Sequence, residues 1–355
     1  MKFVKLATVI ILLLIIGISS FRYLSKKFTN NLILQKVSQT TDNLNDDLGG
    51  EINNLHPLTV ESLRNTETPG SDLVIEQTLD AGTNYDRYVA SYKSDGLKIF
   101  GLLTIPRGTK PESGWPVVVF NHGYIAPQEY RTTDRYVDHQ DGFARNDYIT
   151  FKSDYRGHGS SEGTPTGAYG SNSYTVDVLN AVSSLRKRTD VDKNRVGMWG
   201  HSLGGYLTLR AMVVDRSIKA GVIWGGVVGS YSDLLNNWRR PGISPFTSPP
   251  GARASWRQTL VEKFGTPDKN PTFWNSISAN SYLKDISGPV QLHHGTADSS
   301  VRVEFSEKLD KQLKTEEKIS ELYVYEGDDH NLTNNFNTAM QRSIEFFDRY
   351  VKNSK

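Results

Sequence analysis

One serine sits where its hydroxyl can become a nucleophile. Gly200-His201-Ser202-Leu203-Gly204-Gly205 follows the apolar run 196–199 and precedes residues with helical spacing, which is the strand–turn–helix setting a G-x-S-x-G elbow needs. A turn that sharp strains the serine backbone, and glycines two positions to either side let neighbouring segments pass without a Cβ clash. Ser202 Oγ is then held clear of the chain at a helix N-terminus. There the partial positive charge and the N–H of Leu203 face any oxyanion that forms. The bland reading is a Gly-rich turn that only links two elements, and the correct placement of strand and helix argues against it.

A serine hydroxyl attacks only when a base takes its proton and a carboxylate orients that base. Downstream of Ser202 there are three histidines, His293, His294 and His330, and the chain order that accompanies this elbow is Ser, acid, His. His293 and His294 close a predicted strand just before Gly295-Thr296-Ala297-Asp298, and His330 follows another in Glu326-Gly327-Asp328-Asp329-His330. Order and loop context select Asp298 as the acid and His330 as the base. Asp328 and Asp329, adjacent to the base, lack the reach to orient it and read as solvated loop charge. His293 and His294 read as packing and hydrogen-bonding around the acid loop. The second oxyanion donor is expected from the loop after an earlier apolar strand, Phe120-Asn121-His122-Gly123-Tyr124. The backbone N–H of Tyr124 is the candidate, with His122 shaping the loop. Asp154 and Arg156, in Asp154-Tyr155-Arg156-Gly157-His158-Gly159, read as structural. That loop lacks the Gly-Lys-Ser/Thr ending of a phosphate loop.

These residues need a scaffold that presents several strand ends on one edge. Strands are predicted over 71–79, 85–92 and 97–105, the last two joined at Ser94-Asp95-Gly96. The unbroken apolar run 116–120 suits a strand buried on both faces. Further strands are predicted over 148–153, 195–199, 219–224, 289–293 and 320–325, and helices over 174–188, 202–214, 302–314 and 335–351. An antiparallel start followed by strand–helix units implies an α/β fold, an open and mostly parallel sheet with helices on both faces. Residues 227–288 interrupt the alternation with Trp238, Trp256, Phe264 and Trp274. They read as an inserted lid whose aromatics line a cleft, or as an ordinary helical layer.

The balance of 41 Lys plus Arg against 39 Asp plus Glu, net +2, does not favour a nucleic-acid binder. With no cysteine in the chain, thiolate catalysis, disulfides and Cys-ligated zinc are excluded. Lys2 and Lys5 precede the uncharged apolar run 6–21, and Arg22, Lys26 and Lys27 follow it. This pattern predicts a membrane anchor over 1–28, or a cleavable signal sequence, with the catalytic domain outside the cytoplasm. Residues 29–70, rich in Asn, Thr, Asp and Gln, read as a stalk, and 71–355 as the catalytic domain.

The motifs quoted above, in this order, resemble the α/β-hydrolase superfamily. More narrowly they resemble the catalytic domain of the prolyl oligopeptidase family and its dienelactone-hydrolase-like relatives. The resemblance covers roughly residues 72–351. It implies a Ser202–Asp298–His330 triad, an acyl-enzyme, no cofactor and no metal, acting on a peptide or small ester. Tyr124 stands where many members carry a second glycine. The roughly 70 residues ahead of the catalytic region are too few for the β-propeller of full-length members, which brings esterase chemistry into view. Serine peptidase, carboxylesterase and acyltransferase share every motif, whereas a non-enzymatic binding protein would leave the triad without purpose.

Overall fold

The computed structural model describes residues 55–238 and 255–353. Among them, nine strands form one sheet in the order β1-β2-β3-β5-β4-β6-β7-β8-β9. They are β1 (Val74–Leu79), β2 (Tyr85–Ser94), β3 (Leu97–Pro106), β4 (Trp115–Asn121), β5 (Ile149–Ser153), β6 (Val191–His201), β7 (Ala220–Trp224), β8 (Val290–Gly295) and β9 (Ser320–Tyr325). β1, β2, β3 and β5 pair antiparallel in sequence, and every pair from β5–β4 through β8–β9 is parallel. The β2–β3 hairpin turns on Asp95 and Gly96, both left-handed at φ 49° and 79°, as a two-residue turn matched to strand twist requires.

β4 is buried along its whole length, as are β5, β7 and β8, because helices cover both sides of the sheet. Alternation along β4 divides the core. Val117 and Val119 pack with the helices Ser173–Leu185 and Leu203–Val214. Val118 and Phe120 face the other way, onto Phe143, Phe346 and Phe347. Full burial of each such side chain stabilises by about 1.5–3 kcal/mol.

Two segments differ from the sequence reading. A short helix, Val60–Arg64, capped by the Thr59 hydroxyl on Ser62 N–H at 3.0 Å, lies within the stretch read as stalk. Leu58, Val60 and Leu63 are nonetheless buried in the core, and Arg64 pairs with Asp285 at 3.0 Å. Their apolar spacing is too short to stand out in a polar stretch. The helix Val137–Ala144 between β4 and β5 was not predicted either. Its sequence, VDHQDGFA, has three charges or amides and an internal glycine. The described part of 227–288 forms helices Tyr231–Asn236, Trp256–Phe264 and Pro271–Ile277 and a 3₁₀ turn, Ala279–Asp285. The apolar run 6–21 lies outside the described residues, among which no helix is long and apolar enough to cross a membrane.

Candidate active site

Ser202 follows β6 and precedes the helix Leu203–Val214 with φ 55° and ψ −119°. A conformation this rare for a residue with a Cβ costs on the order of 1–3 kcal/mol, and the neighbouring backbone secures it. Ser202 N–H donates to the Trp224 carbonyl at 3.0 Å, and the Ser202 carbonyl accepts from Gly205 at 3.0 Å and Val227 at 2.9 Å. The glycines are needed. A Cβ on Gly200 would overlap the Gly204 carbonyl, and one on Gly204 would overlap the carbonyl of Asn121 at the end of β4.

His330 Nδ1 lies 2.6 Å from Asp298 Oδ2. The other carboxylate oxygen, Oδ1, accepts from the N–H groups of Ser300 and Val301, each at 2.8 Å. His294 Nε2 donates both to the Val301 carbonyl at 3.0 Å and to Asp298 Oδ2 at 3.1 Å. Burial opposes ionisation of Asp298, but the hydrogen bonds from His294 and His330 outweigh it and hold the carboxyl well below its usual range. Gly225, left-handed at φ 51°, leaves room for the pair: a Cβ there would sit 3.0 Å from His330 Nδ1 and 3.3 Å from Asp298 Oδ2. Asp328 is not a solvated charge, whereas Asp329 is exposed. Asp328 is buried and accepts from the N–H groups of Asp329, Asn334 and Asn335, while Asp329 accepts from those of Asn331 and Thr333. Together they brace the loop that carries His330. His294 makes the polar contacts around the acid loop that its position suggests, and it faces the acid itself. His293 bonds Tyr325 at 2.8 Å and Gln291 at 2.7 Å instead.

In the loop after β4, His122 is buried, stacked on Tyr155 at 4.2 Å, and donates from Nδ1 to the Gly123 carbonyl at 2.7 Å. The C=O and N–H of one trans peptide point opposite ways, so this bond turns the Tyr124 N–H away from the buried ring. Neither Tyr124 N–H nor Leu203 N–H has a backbone acceptor among the described residues.

Two residues to which sequence reasoning gave no role tie these loops together. Tyr136 Oη accepts from Gly123 N–H at 3.0 Å and lies 2.8 Å from His201 Nδ1. His201 Nε2 lies 2.9 Å from the His330 carbonyl. A carbonyl only accepts, so Nε2 carries the proton. Burial lowers the His201 pKa to about 4, which leaves Nδ1 bare to accept the Tyr136 hydroxyl. The chain of bonds runs from the Gly123 loop through the residue before Ser202 to the backbone of His330. His201 is legible in the elbow motif, but nothing local to Tyr136 signals its part.

Ser202 and His330 open into one cavity of about 440 Å³, lined also by Gly123, Tyr124, Arg135, Tyr136, His139 and Phe336. None of the described residues of 227–288 lines it. Trp238 and Trp256 pack on Tyr169, and Trp274 is buried against Tyr231, so these aromatics satisfy one another in a helical layer. Arg156 and Asp154 serve the scaffold as expected. The Arg156 guanidinium grips the buried Asp177 at 2.6 Å and Asp95 at 2.8 Å, and Asp154 accepts from Tyr130 and Thr132. Among the described residues no three His, Asp or Glu side chains converge as a metal site.

This arrangement can be set beside known proteins. The family model for the prolyl oligopeptidase family matches residues 139–354. An uncharacterized peptidase of Bacillus subtilis, YtmA, is 26% identical over 240 residues, 67% of this chain and 83% of that protein. Among solved structures, an acylaminoacyl peptidase of Pyrococcus horikoshii superposes with TM-score 0.59 at 22% identity, over 77% of this chain and 43% of its own. Est1E of Butyrivibrio proteoclasticus, solved with ferulic acid bound, superposes with TM-score 0.56 at 20% identity, over 74% of this chain and 99% of its own. The chain therefore spans less than half of the Pyrococcus peptidase and nearly all of Est1E. At these identities the two structures bear on fold alone.

Proposed function

The chain belongs to the prolyl oligopeptidase family, and from that premise we propose that it hydrolyses carboxylic esters or amides through Ser202, His330 and Asp298. It is a serine hydrolase of the α/β-hydrolase fold. In the proposed cycle, His330 Nε2 takes the Ser202 proton as Oγ attacks the substrate carbonyl. Asp298 holds the imidazole in the tautomer that leaves Nε2 bare and stabilises the imidazolium that forms. The N–H groups of Leu203 and Tyr124 bind the developing oxyanion. His330 next protonates the leaving group, the acyl-enzyme remains, and water enters by the same base to release the acid.

The observation that carries this reading is the 2.6 Å contact between His330 Nδ1 and Asp298 Oδ2, in a group whose imidazole shares a cavity with a left-handed serine. A fluorophosphonate probe is expected to label the wild-type chain and not Ser202→Ala. Equal labelling of both proteins would end the assignment. The run 6–21, flanked by basic residues, is proposed to anchor the enzyme with its catalytic domain outside the cytoplasm. Release of the full-length chain from membranes by alkaline carbonate would contradict that.

A further inference from the structure

Between β4 and the helix Val137–Ala144, two consecutive residues adopt left-handed backbone, Arg135 at φ 54° and Tyr136 at φ 58°. Such conformations are costly for residues with side chains, and a chain does not hold two in a row without support. The support comes from beneath. Lys152 of β5, fully buried, donates Nζ to the carbonyls of Asp134 at 2.6 Å and Arg135 at 2.8 Å. Burial lowers that ammonium from its usual range, and the Asp154 carboxylate opposes the shift. Tyr130 and Thr132 are tied to Asp154, and Tyr136 to Gly123 and His201.

The residue fixed on this perch is an exposed arginine that lines the cavity of Ser202 and His330. Among the described residues it has no carboxylate partner. Among the described residues no Asp or Glu lines that cavity. His139 and His201 are lowered by burial to about 3 and 4 and are uncharged at neutral pH. Arg135 is thus the one fixed charge among the described lining residues. Tyr136, His139 and Phe336 line the same cavity. Its side of the cavity can be read as well. Arg135 directly precedes Tyr136, whose hydroxyl bonds His201, which bonds the backbone of His330. That is the side of the base, where a leaving group collects its proton.

We propose that Arg135 receives a carboxylate carried by the leaving group, so that the enzyme prefers esters or amides whose departing portion is anionic. A short peptide ending in a free carboxylate is one such portion. The inference rests on the Ser202–His330 reading above. A guanidinium suits this role because its planar fork meets a carboxylate with two parallel bonds and keeps its charge at any working pH.

The test uses the full chain and two substrates with one acetyl group, 4-acetoxybenzoate and its methyl ester, each rate normalised to hydroxide-catalysed hydrolysis. Wild type is expected to favour the carboxylate by about tenfold in kcat/KM, with high salt eroding the preference. Arg135→Gln is expected to bring the ratio to about one, and Arg135→Lys to keep part of it. Turnover of both esters at the same ratio in wild type and Arg135→Gln overturns the inference and leaves the hydrolase reading standing. A preference confined to substrates with the carboxylate on the acyl side, tested with p-nitrophenyl hemisuccinate against p-nitrophenyl butyrate, also overturns it. Hydrolysis of neither ester by wild type sinks both.

Discussion

The imidazole of His201 donates to the carbonyl oxygen of His330 across 2.9 Å, so the residue preceding the proposed nucleophile holds the backbone of the proposed base. Displacing a base by about 1 Å can cost about 10²-fold in rate. His201→Ala is therefore expected to lower kcat by about 10- to 100-fold with little change in KM. His201→Gln, whose amide can still donate, should recover part of the loss. A change in KM alone, or no rescue by glutamine, would argue that His201 only fills space.

Asp298 has all its acceptor positions directed at donors: two backbone N–H groups on one oxygen, His294 and His330 on the other. Asn at this position turns an amide donor toward an imidazole that must itself donate, which selects the wrong tautomer. Asp298→Asn is expected to lower kcat by about 10³- to 10⁴-fold. His294→Gln should cost far less, because three donors remain. Steady-state kinetics on p-nitrophenyl acetate separate the two, and similar losses would contradict this division of labour.

Burial lowers several imidazoles among the described residues, His139, His201 and His293 to about 3, 4 and 3 and His122 well below its usual value, against about 6.5 when unfolded. Between about pH 6.5 and 4 the unfolded chain binds more protons than the folded one, so their contribution is complete above 6.5 and is lost as pH falls. Each can add up to about 1.4 kcal/mol per pH unit to the slope. Urea unfolding between pH 7 and 4.5 should show stability dropping steadily, and His293→Asn should flatten that slope by up to one proton. A pH-independent midpoint would contradict the prediction.

Gly204 approaches the carbonyl of Asn121 so closely that any Cβ overlaps it. Both partners are backbone, so neither can rotate away. Gly204→Ala is expected to separate the elbow from the end of β4 and to abolish turnover. Its thermal midpoint should fall by several degrees, as circular dichroism would register. Wild-type activity in this variant would mean that the elbow tolerates a looser fit.

The parts of the fold most legible in the sequence were those with a strong period or an unbroken apolar run. β4 shows this: its buried valines have no polar alternation and mark a strand covered on both faces. The elbow was legible because a glycine pattern, a strand and a helix coincide at Ser202. Asp298 and His330 needed chain order as well, since their contact spans 32 positions. Tyr136 escaped for the opposite reason. It caps a short polar helix, it is left-handed without being glycine, and its meaning lies in partners 13 and 65 positions away. The aromatic run after β7 was ambiguous because stacking in a helical layer and lining a cleft call for the same side chains.

Val227 is the third residue beyond β7, and its N–H is fastened to the carbonyl of Ser202 itself. The segment that departs there, through the helices from Tyr231 to Ile277, is therefore moored to the proposed nucleophile at its root. That one bond joins the helical layer to the peptide that already carries the costly positive φ.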